Sequence, residues 1–190
     1  NSLNAGAQLA MMEDAEQTGI FVEKMADFFR YNVKKGQEDA TLGEELEAVD
    51  NYIYILNVRF AGDIHFNKDV DESLENVRVP SMILQPVVEN AVNHGIRDIE
   101  WEGKIHLTVT GDADYIRISV KDNGKGMTPE QIESVLSGNK EHCNEQSDST
   151  GIGMNNVISR LELYYEEPGL VEINSDGENK GTEVVIYIPV

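Results

Sequence analysis

The spacing of apolar residues along this chain changes character near Gly62. Over residues 1 to about 36, Leu3, Ala7, Ala10, Phe21, Met25 and Phe28 recur at helical intervals, and polar Asp14 and Gln17 interrupt the stripe. One helix is predicted there, with Gly36 as its stop. Thr41 and Glu44 have capping-box spacing and open a second helix. Its Leu42, Leu46, Val49, Ile53, Leu56 and Phe60 follow one another at intervals of 4, 3, 4, 3 and 4, a heptad seam. Two such helices joined by a short polar loop predict an antiparallel hairpin. A hairpin of this kind packs either on its own domain or against a second copy as half of a four-helix bundle. The narrowness of the second seam favours the dimer.

Beyond Gly62 the period shortens. Ile64, Phe66 and Val70 alternate as in a strand, with a polar break at Lys68. Ser81 to about Asn93 reads as a helix with Pro86 in its first turn. Ile105, Leu107 and Val109, then Ile116, Ile118 and Val120, alternate on either side of Gly111-Asp-Ala-Asp114, which predicts a β-hairpin. Thr128 and Pro129 have the residue types of an N-cap and a first helical position. Ser137 to Thr150 is almost wholly polar, the composition of a mobile lid. A helix after Gly153 carries Val157, Leu161 and Tyr164 or Tyr165 on one face, and strands at Leu170–Asn174 and Thr182–Ile188 flank Asp176-Gly177. This order predicts an α+β fold, a two-layer α/β sandwich over residues 62–190, preceded by the helical hairpin of residues 1–61.

Charge and composition narrow the partners. The formal net charge of −20 over 190 residues excludes nucleic acid and anionic lipid surfaces, both of which are bound through clustered Lys and Arg. An anionic nucleotide can still be held, by backbone N–H groups, a helix N-terminus and a metal ion. The lone Cys143 allows no disulfide within the chain, which points to a reducing cytoplasm. No apolar run reaches membrane-spanning length. Because the chain opens at Asn1 directly in helix-like sequence, it reads as a segment of something longer, and any membrane span is expected elsewhere in the parent.

The candidate chemistry lies in four short segments: Leu84 to Gly95 with Asn90, Asn93 and His94; Asp122-Asn-Gly-Lys-Gly-Met127; Thr150-Gly-Ile-Gly-Met154; and Gly181-Thr182. Taken singly, each has an ordinary explanation. Asp122-Asn-Gly is a turn, His94 before Gly95 suits a helix C-terminus, and Gly-Thr starts many strands. Asn90 is less ordinary, because Asn inside a helix is unfavourable unless something compensates.

As an ordered set, the four segments resemble the N, G1, G2 and G3 boxes of the GHKL ATP-binding fold (the Bergerat fold), shared by gyrase B, Hsp90, MutL and the histidine kinases. The resemblance implies that ATP and Mg²⁺ bind here. Asn90 would ligate the metal, and Asn93 and His94 would lie near the phosphates and ribose. Asp122 would read the adenine amino group, with Gly124, Gly126 and Met127 against the base. Thr150, Gly151, Ile152, Gly153 and Met154 would carry the phosphates at a helix start, and Thr182 would complete the site. The ATPase branches carry a water-activating Glu one turn before the Asn. Here that position is Pro86, and Glu89 points about 100° away.

Gln85 to Gly95, Leu42 to Phe60, Gly151 to Val157, Arg160-Leu161 and Gly181 to Pro189 are together similar to the autolysin-sensor type of bacterial sensor histidine kinase. That implies the cytoplasmic kinase core of a parent in the bacterial membrane, a homodimer through residues 1–61, and a response regulator receiver domain as partner. Two departures stand out. Asn93 replaces a Lys common in relatives, and the phosphoacceptor His is expected just upstream of Asn1-Ser-Leu-Asn4, so this segment alone is not expected to autophosphorylate. His65 and His106 fall in strand patterns, His142 in the polar loop and His94 in the first box. The rival readings are an anti-sigma-factor-like Ser/Thr kinase, a nucleotide-binding scaffold without transfer and, last, a GHKL ATPase.

Overall fold

Backbone capping decides how the N-terminal helices are cut. The structure, a computed structural model, describes residues 2–34, 39–60, 64–97, 99–137 and 148–190; of residues 2, 4, 5, 9, 34 and 148–152 it describes the backbone only. The stop expected at Gly36, the boundary at Gly62 and the centre of the polar loop all lie outside these residues. Where one helix was expected there are two, α1 (Ser2–Met12) and α2 (Glu16–Lys34). Asp14 takes a left-handed φ of 57°. The Ala15 N–H donates to the Ala10 carbonyl at 2.8 Å and the Asp14 N–H to Met11 at 3.3 Å. These are the two bonds of a Schellman C-cap, with Asp in the place usually taken by Gly. The chain then folds back, so that Met11 lies beside Gly19 and Gly6 beside Val22. The polar interruption at Asp14 is a reversal of the chain.

Helix α3 (Leu42–Arg59) starts on the predicted capping box: the Glu44 N–H donates to Thr41 Oγ1 at 3.2 Å and the Thr41 N–H to Glu44 Oε2 at 2.8 Å. Its heptad seam does not face a second copy. Leu42, Leu46, Val49 and Ile53 are buried in the same core as Ile105, Leu107 and Ile118. Over 18 residues a heptad seam and the core-facing stripe of an amphipathic helix are the same pattern, so periodicity alone does not separate them.

A short antiparallel pair, β1 (Asp39–Thr41) with β3 (Arg78–Pro80), ties the start of α3 to the chain entering α4 (Leu84–Asn90). Helix α4 continues as π-helical turns over Ala91–Ile96. The main sheet has the order β2-β4-β5-β7-β6, built from β2 (Ile64–Val70), β4 (Gly103–Gly111), β5 (Tyr115–Asp122), β6 (Val171–Asn174) and β7 (Glu183–Pro189). The predicted hairpin β4–β5 is present, with Leu107 opposite Val120, and β5 pairs antiparallel with β7. Strand β2 runs parallel to β4, so the chain must cross over between them, and α4 lies on that crossover.

Alternation then sorts the two faces of the sheet. Ile105, Leu107, Ile116, Ile118, Val184 and Ile186 point into the layer formed by α3, α4 and α6 (Asp148–Tyr165), where Val87, Val88, Val157 and Leu161 meet them. The opposite face carries polar pairs, among them Arg117 to Glu183 at 2.8 Å and Tyr115 edge-on to Tyr187. This is the expected α+β sandwich of two layers. Helix α5 (Pro129–Ser137) packs beside α6, and Thr128 and Gln131 form its capping box.

Leu161 is fully buried and Leu163, two residues on, is 83% exposed. Leu161→Ala is expected to lower unfolding free energy by about 2–5 kcal/mol. Leu163→Ala should stay within roughly 0.5 kcal/mol of the parent. Urea midpoints at unchanged slope check both, and equal losses would contradict this placement of α6.

Candidate functional site

Three stretches of main chain meet around the carboxylate of Asp122, which ends β5 and is 6% exposed. Its Oδ1 accepts from the N–H of Gly124 at 2.8 Å and of Thr182 at 3.3 Å. The Asp122 N–H in turn donates to the Thr182 carbonyl at 2.9 Å. Among the described residues Oδ2 accepts nothing. The Lys125 N–H donates to Gly95 and the Gly181 N–H to Gly124, both at 3.0 Å. A Cβ on Gly95 would lie 2.8 Å from the Asp122 carboxylate, and one on Gly124 would fall inside the Gly95 carbonyl. At Gly181, where φ is 77°, a Cβ would collide with the Asp122 carbonyl. The glycines therefore let the end of the π-turns, the loop after β5 and the start of β7 touch backbone to backbone. Burial raises the Asp122 pKa, and the N–H groups of Gly124 and Thr182 oppose that shift.

The helical rod of residues 84–96 brings two of its predicted residues to the same region. Asn90 is half-buried, and its Nδ2 is enclosed without a hydrogen-bond partner among the described residues. His94, one turn on, is half-buried too. Burial, and then the charge of Lys125, hold its pKa below the ordinary value, so the imidazole is neutral at pH 7. Asn93 corrects the expectation. It is exposed, and its side chain lies beside the Tyr52 hydroxyl on α3, toward the helical layer. Burial and the nearby Glu89 push the Tyr52 pKa up to about 12, against the opposing influence of Asn93. Glu89 accepts from Gln85 Nε2 at 2.7 Å and stands on that same face, away from Asn90.

The third segment also differs from expectation. Helix α6 begins at Asp148, so Gly151 closes its first turn and Gly153 lies inside it; these glycines do not open the helix. The side chains of Thr150, Gly151 and Ile152 lie outside the described residues. Gly153 packs near Pro86 of α4, and Met154 is 2% exposed in the apolar core behind the site. Met154 was expected against a ligand, but its hydrophobicity and the helix phase turn it inward. Gly126 has a φ of 69°, and Met127 beside it donates its N–H to Ser175 Oγ at 2.9 Å. Ser175 Oγ donates in turn to the Gly181 carbonyl at 2.7 Å.

Sequence reasoning missed Gly95, Ser175, Lys125 and Trp101. Trp101, the only Trp of the chain, donates Nε1–H to the Asn123 carbonyl at 2.9 Å on the loop beside Asp122. Nothing in the local pattern marks Ser175 or Trp101, because both act through distant backbone.

The arrangement can be set against known proteins. A profile described as "Histidine kinase-, DNA gyrase B-, and HSP90-like ATPase" matches residues 78–190, and one described as "Histidine kinase" matches residues 1–64. Sensor histidine kinase YpdA of Escherichia coli (strain K12) is 32% identical over 191 residues, spanning all of this chain and 31% of YpdA. Sensor protein LytS of Streptococcus agalactiae is 28% identical over 190 residues, again spanning all of this chain and 31% of the relative. The chain thus spans under a third of the curated relatives it matches. The catalytic domain of histidine kinase ThkA shares the fold, with a TM-score of 0.56 at 22% identity over 80% of this chain and 98% of that one. The chain belongs to the histidine kinase-, DNA gyrase B- and HSP90-like ATPase family.

Proposed function

We propose that this chain is the ATP-binding kinase core of a two-component sensor, holding Mg-ATP for transfer of the γ-phosphoryl group to a histidine and onward to a response regulator. The observation that carries the reading is the Asp122 carboxylate, buried with one oxygen engaged by two N–H groups and the other without a partner among the described residues. A buried acceptor left open suits the amino group of an adenine. The Asn90 Nδ2, enclosed without a partner among the described residues, is a second under-satisfied group, one turn from His94. Among the described residues no cluster of three His, Cys, Asp or Glu could hold a metal ion. A single Asn oxygen supplemented by phosphate and water fits Mg²⁺, which when bound would neutralise phosphate charge. Lys125 near His94 and the first N–H groups of α6 supply positive potential on the phosphate side.

Transfer to a side chain is favoured over hydrolysis. Pro86 occupies the position of a water-activating Glu, and Glu89 is bonded to Gln85 on the far face. The acceptor histidine is assigned to a residue outside this chain. His65 is engaged by Glu102 at 2.8 Å, His106 is exposed on the outer face of the sheet, His94 belongs to the site, and His142 falls in the polar loop, outside the described residues. Residues 1–61 serve dimerisation and 62–190 nucleotide binding in this reading. The seam of α3 is occupied, so the homodimer would use α1 and α2, where Met11, Met12, Phe29 and Val33 are exposed. No described helix is long and apolar enough to cross a membrane, and attachment of the parent is assigned to segments outside this chain.

A non-hydrolysable ATP analogue is expected to change Trp101 fluorescence, because the indole is bonded to the loop that holds Asp122. Asp122→Ala should weaken binding of the analogue and of adenosine by about 1.5–3 kcal/mol, roughly ten- to a hundredfold in Kd. Retained adenosine affinity in that variant would remove Asp122 from the base site. Asn90→Ala should instead leave metal-free binding intact and abolish the gain on adding Mg²⁺, measured by calorimetry.

His94 gives a test by pH. Its native pKa is lowered, so below the ordinary value of 6.5 the unfolded chain takes up the proton first and the native state loses stability as pH falls through that window. Bound phosphate would favour the cation and raise the pKa. An NMR titration of His94 with metal-free ADP should show that upward shift, and an unmoved His94 would argue against phosphates beside it.

A further inference from the structure

Helix α4 has no cap of its own, since Ile83 stands at the N-cap position without a side-chain bond. Its free N–H groups are met by Glu45 of α3, a carboxylate 1% exposed. Oε1 accepts from the Met82 N–H at 2.6 Å, and Oε2 from Ile83 at 2.9 Å and Leu84 at 2.8 Å. The fourth donor is the Tyr31 hydroxyl of α2, also to Oε1. A buried carboxylate is costly unless its lone pairs are filled, and here four donors and the positive end of a helix fill them. On the other side of the same turn, Arg160 of α6 donates to the Ser81 carbonyl. Met82 between them is held at a φ of 63°, unfavourable for a side chain with a Cβ. The turn is thus gripped from two helices in a conformation it would not keep alone.

A second linkage joins the same helices near the other end of the rod. Tyr52 of α3 stacks on Phe28 of α2, with ring centroids 5.8 Å apart, and its hydroxyl lies beside Asn93. Phe28 and Tyr31 lie one turn apart on α2. One surface of α2 therefore reaches both ends of the helical rod that carries Asn90 and His94.

We infer that Glu45 is a positioning residue for the nucleotide site, setting the place of the rod, and that Tyr31 makes this setting depend on α2. The functional meaning rests on the ATP reading above; the mechanical claim does not. Tyr31→Phe removes one donor and keeps the ring, so it should fold. Glu45→Gln keeps the shape but turns an N–H₂ toward a donor. In nucleotide-free protein both variants should show several-fold faster amide exchange over residues 82–96, with the sheet and α6 unchanged. With ligand, Tyr31→Phe should reduce the affinity gained from Mg²⁺, which acts through Asn90, and leave adenosine binding, which acts through Asp122, unchanged. A general loss of stability would weaken both alike. Unchanged exchange over 82–96 in Tyr31→Phe overturns the inference, even if Glu45→Gln does not fold. If the parent binds no nucleotide at all, the ATP reading fails while the exchange result still decides the coupling.

Discussion

A buried carboxylate lies near each end of the helical rod from Leu84 to Ile96, and the contrast between the two acids organises the molecule. Glu45 at the start has both oxygens engaged, by three backbone N–H groups and a phenol. Asp122 at the finish has one oxygen engaged and one open among the described residues. Buried charge is retained only where it is compensated. The first acid is compensated by the protein and is structural. The second is compensated by half, which is the condition of a residue that awaits a ligand. Between them lie Asn90 and His94, whose positions are fixed from both sides.

The acidity of the chain is consistent with that design. A protein of net charge −20 has little positive surface for phosphates. In the ATP reading it would rely on fixed dipoles, and the crossing of Gly95, Gly124 and Gly181 brings main chain close to Asp122 with no side chain between. The same crossing explains why glycine occupies these places without invoking the ligand: a Cβ on Gly124 or Gly181 would strike a neighbouring backbone carbonyl, and one on Gly95 the Asp122 carboxylate. The glycines are thus required by packing, and the site is made from what that packing leaves open.

The partition of the rod's surface also bears on reaction type. Glu89, bonded to Gln85, and Asn93 lie near Tyr52 of α3, whereas His94 lies near Lys125 of the loop after β5. A carboxylate able to activate water would have to stand on the second face, and Pro86 and Glu89 leave none there. The pattern suits a phosphoryl group passed to a side chain brought from elsewhere, where positioning and charge neutralisation supply the catalysis.

Much of this was legible in the chain itself. Period-two alternation located β2, β4 to β5 and β6 to β7, capping residues located the starts of α3 and α5, and the ordered glycine segments located Asp122 and Asn90. These are local rules, each satisfied within a few residues, and so the sequence carries them openly. Other features depended on what lies across space. The heptad of α3 did not reveal whether it would meet a partner or its own sheet, because both burials use the same stripe. Asn93 and Met154 were turned from the expected site by helix phase and by the core behind it. The parallel pairing of β2 with β4, the cap that Glu45 gives to a helix some forty residues later, and the Ser175 and Trp101 bonds to the loops had no local signal. The sequence by itself determined most of the elements and the family; only the tertiary structure decided which polar groups are satisfied and which stand open, because hydrogen-bond satisfaction in a buried site is settled by residues remote in the chain.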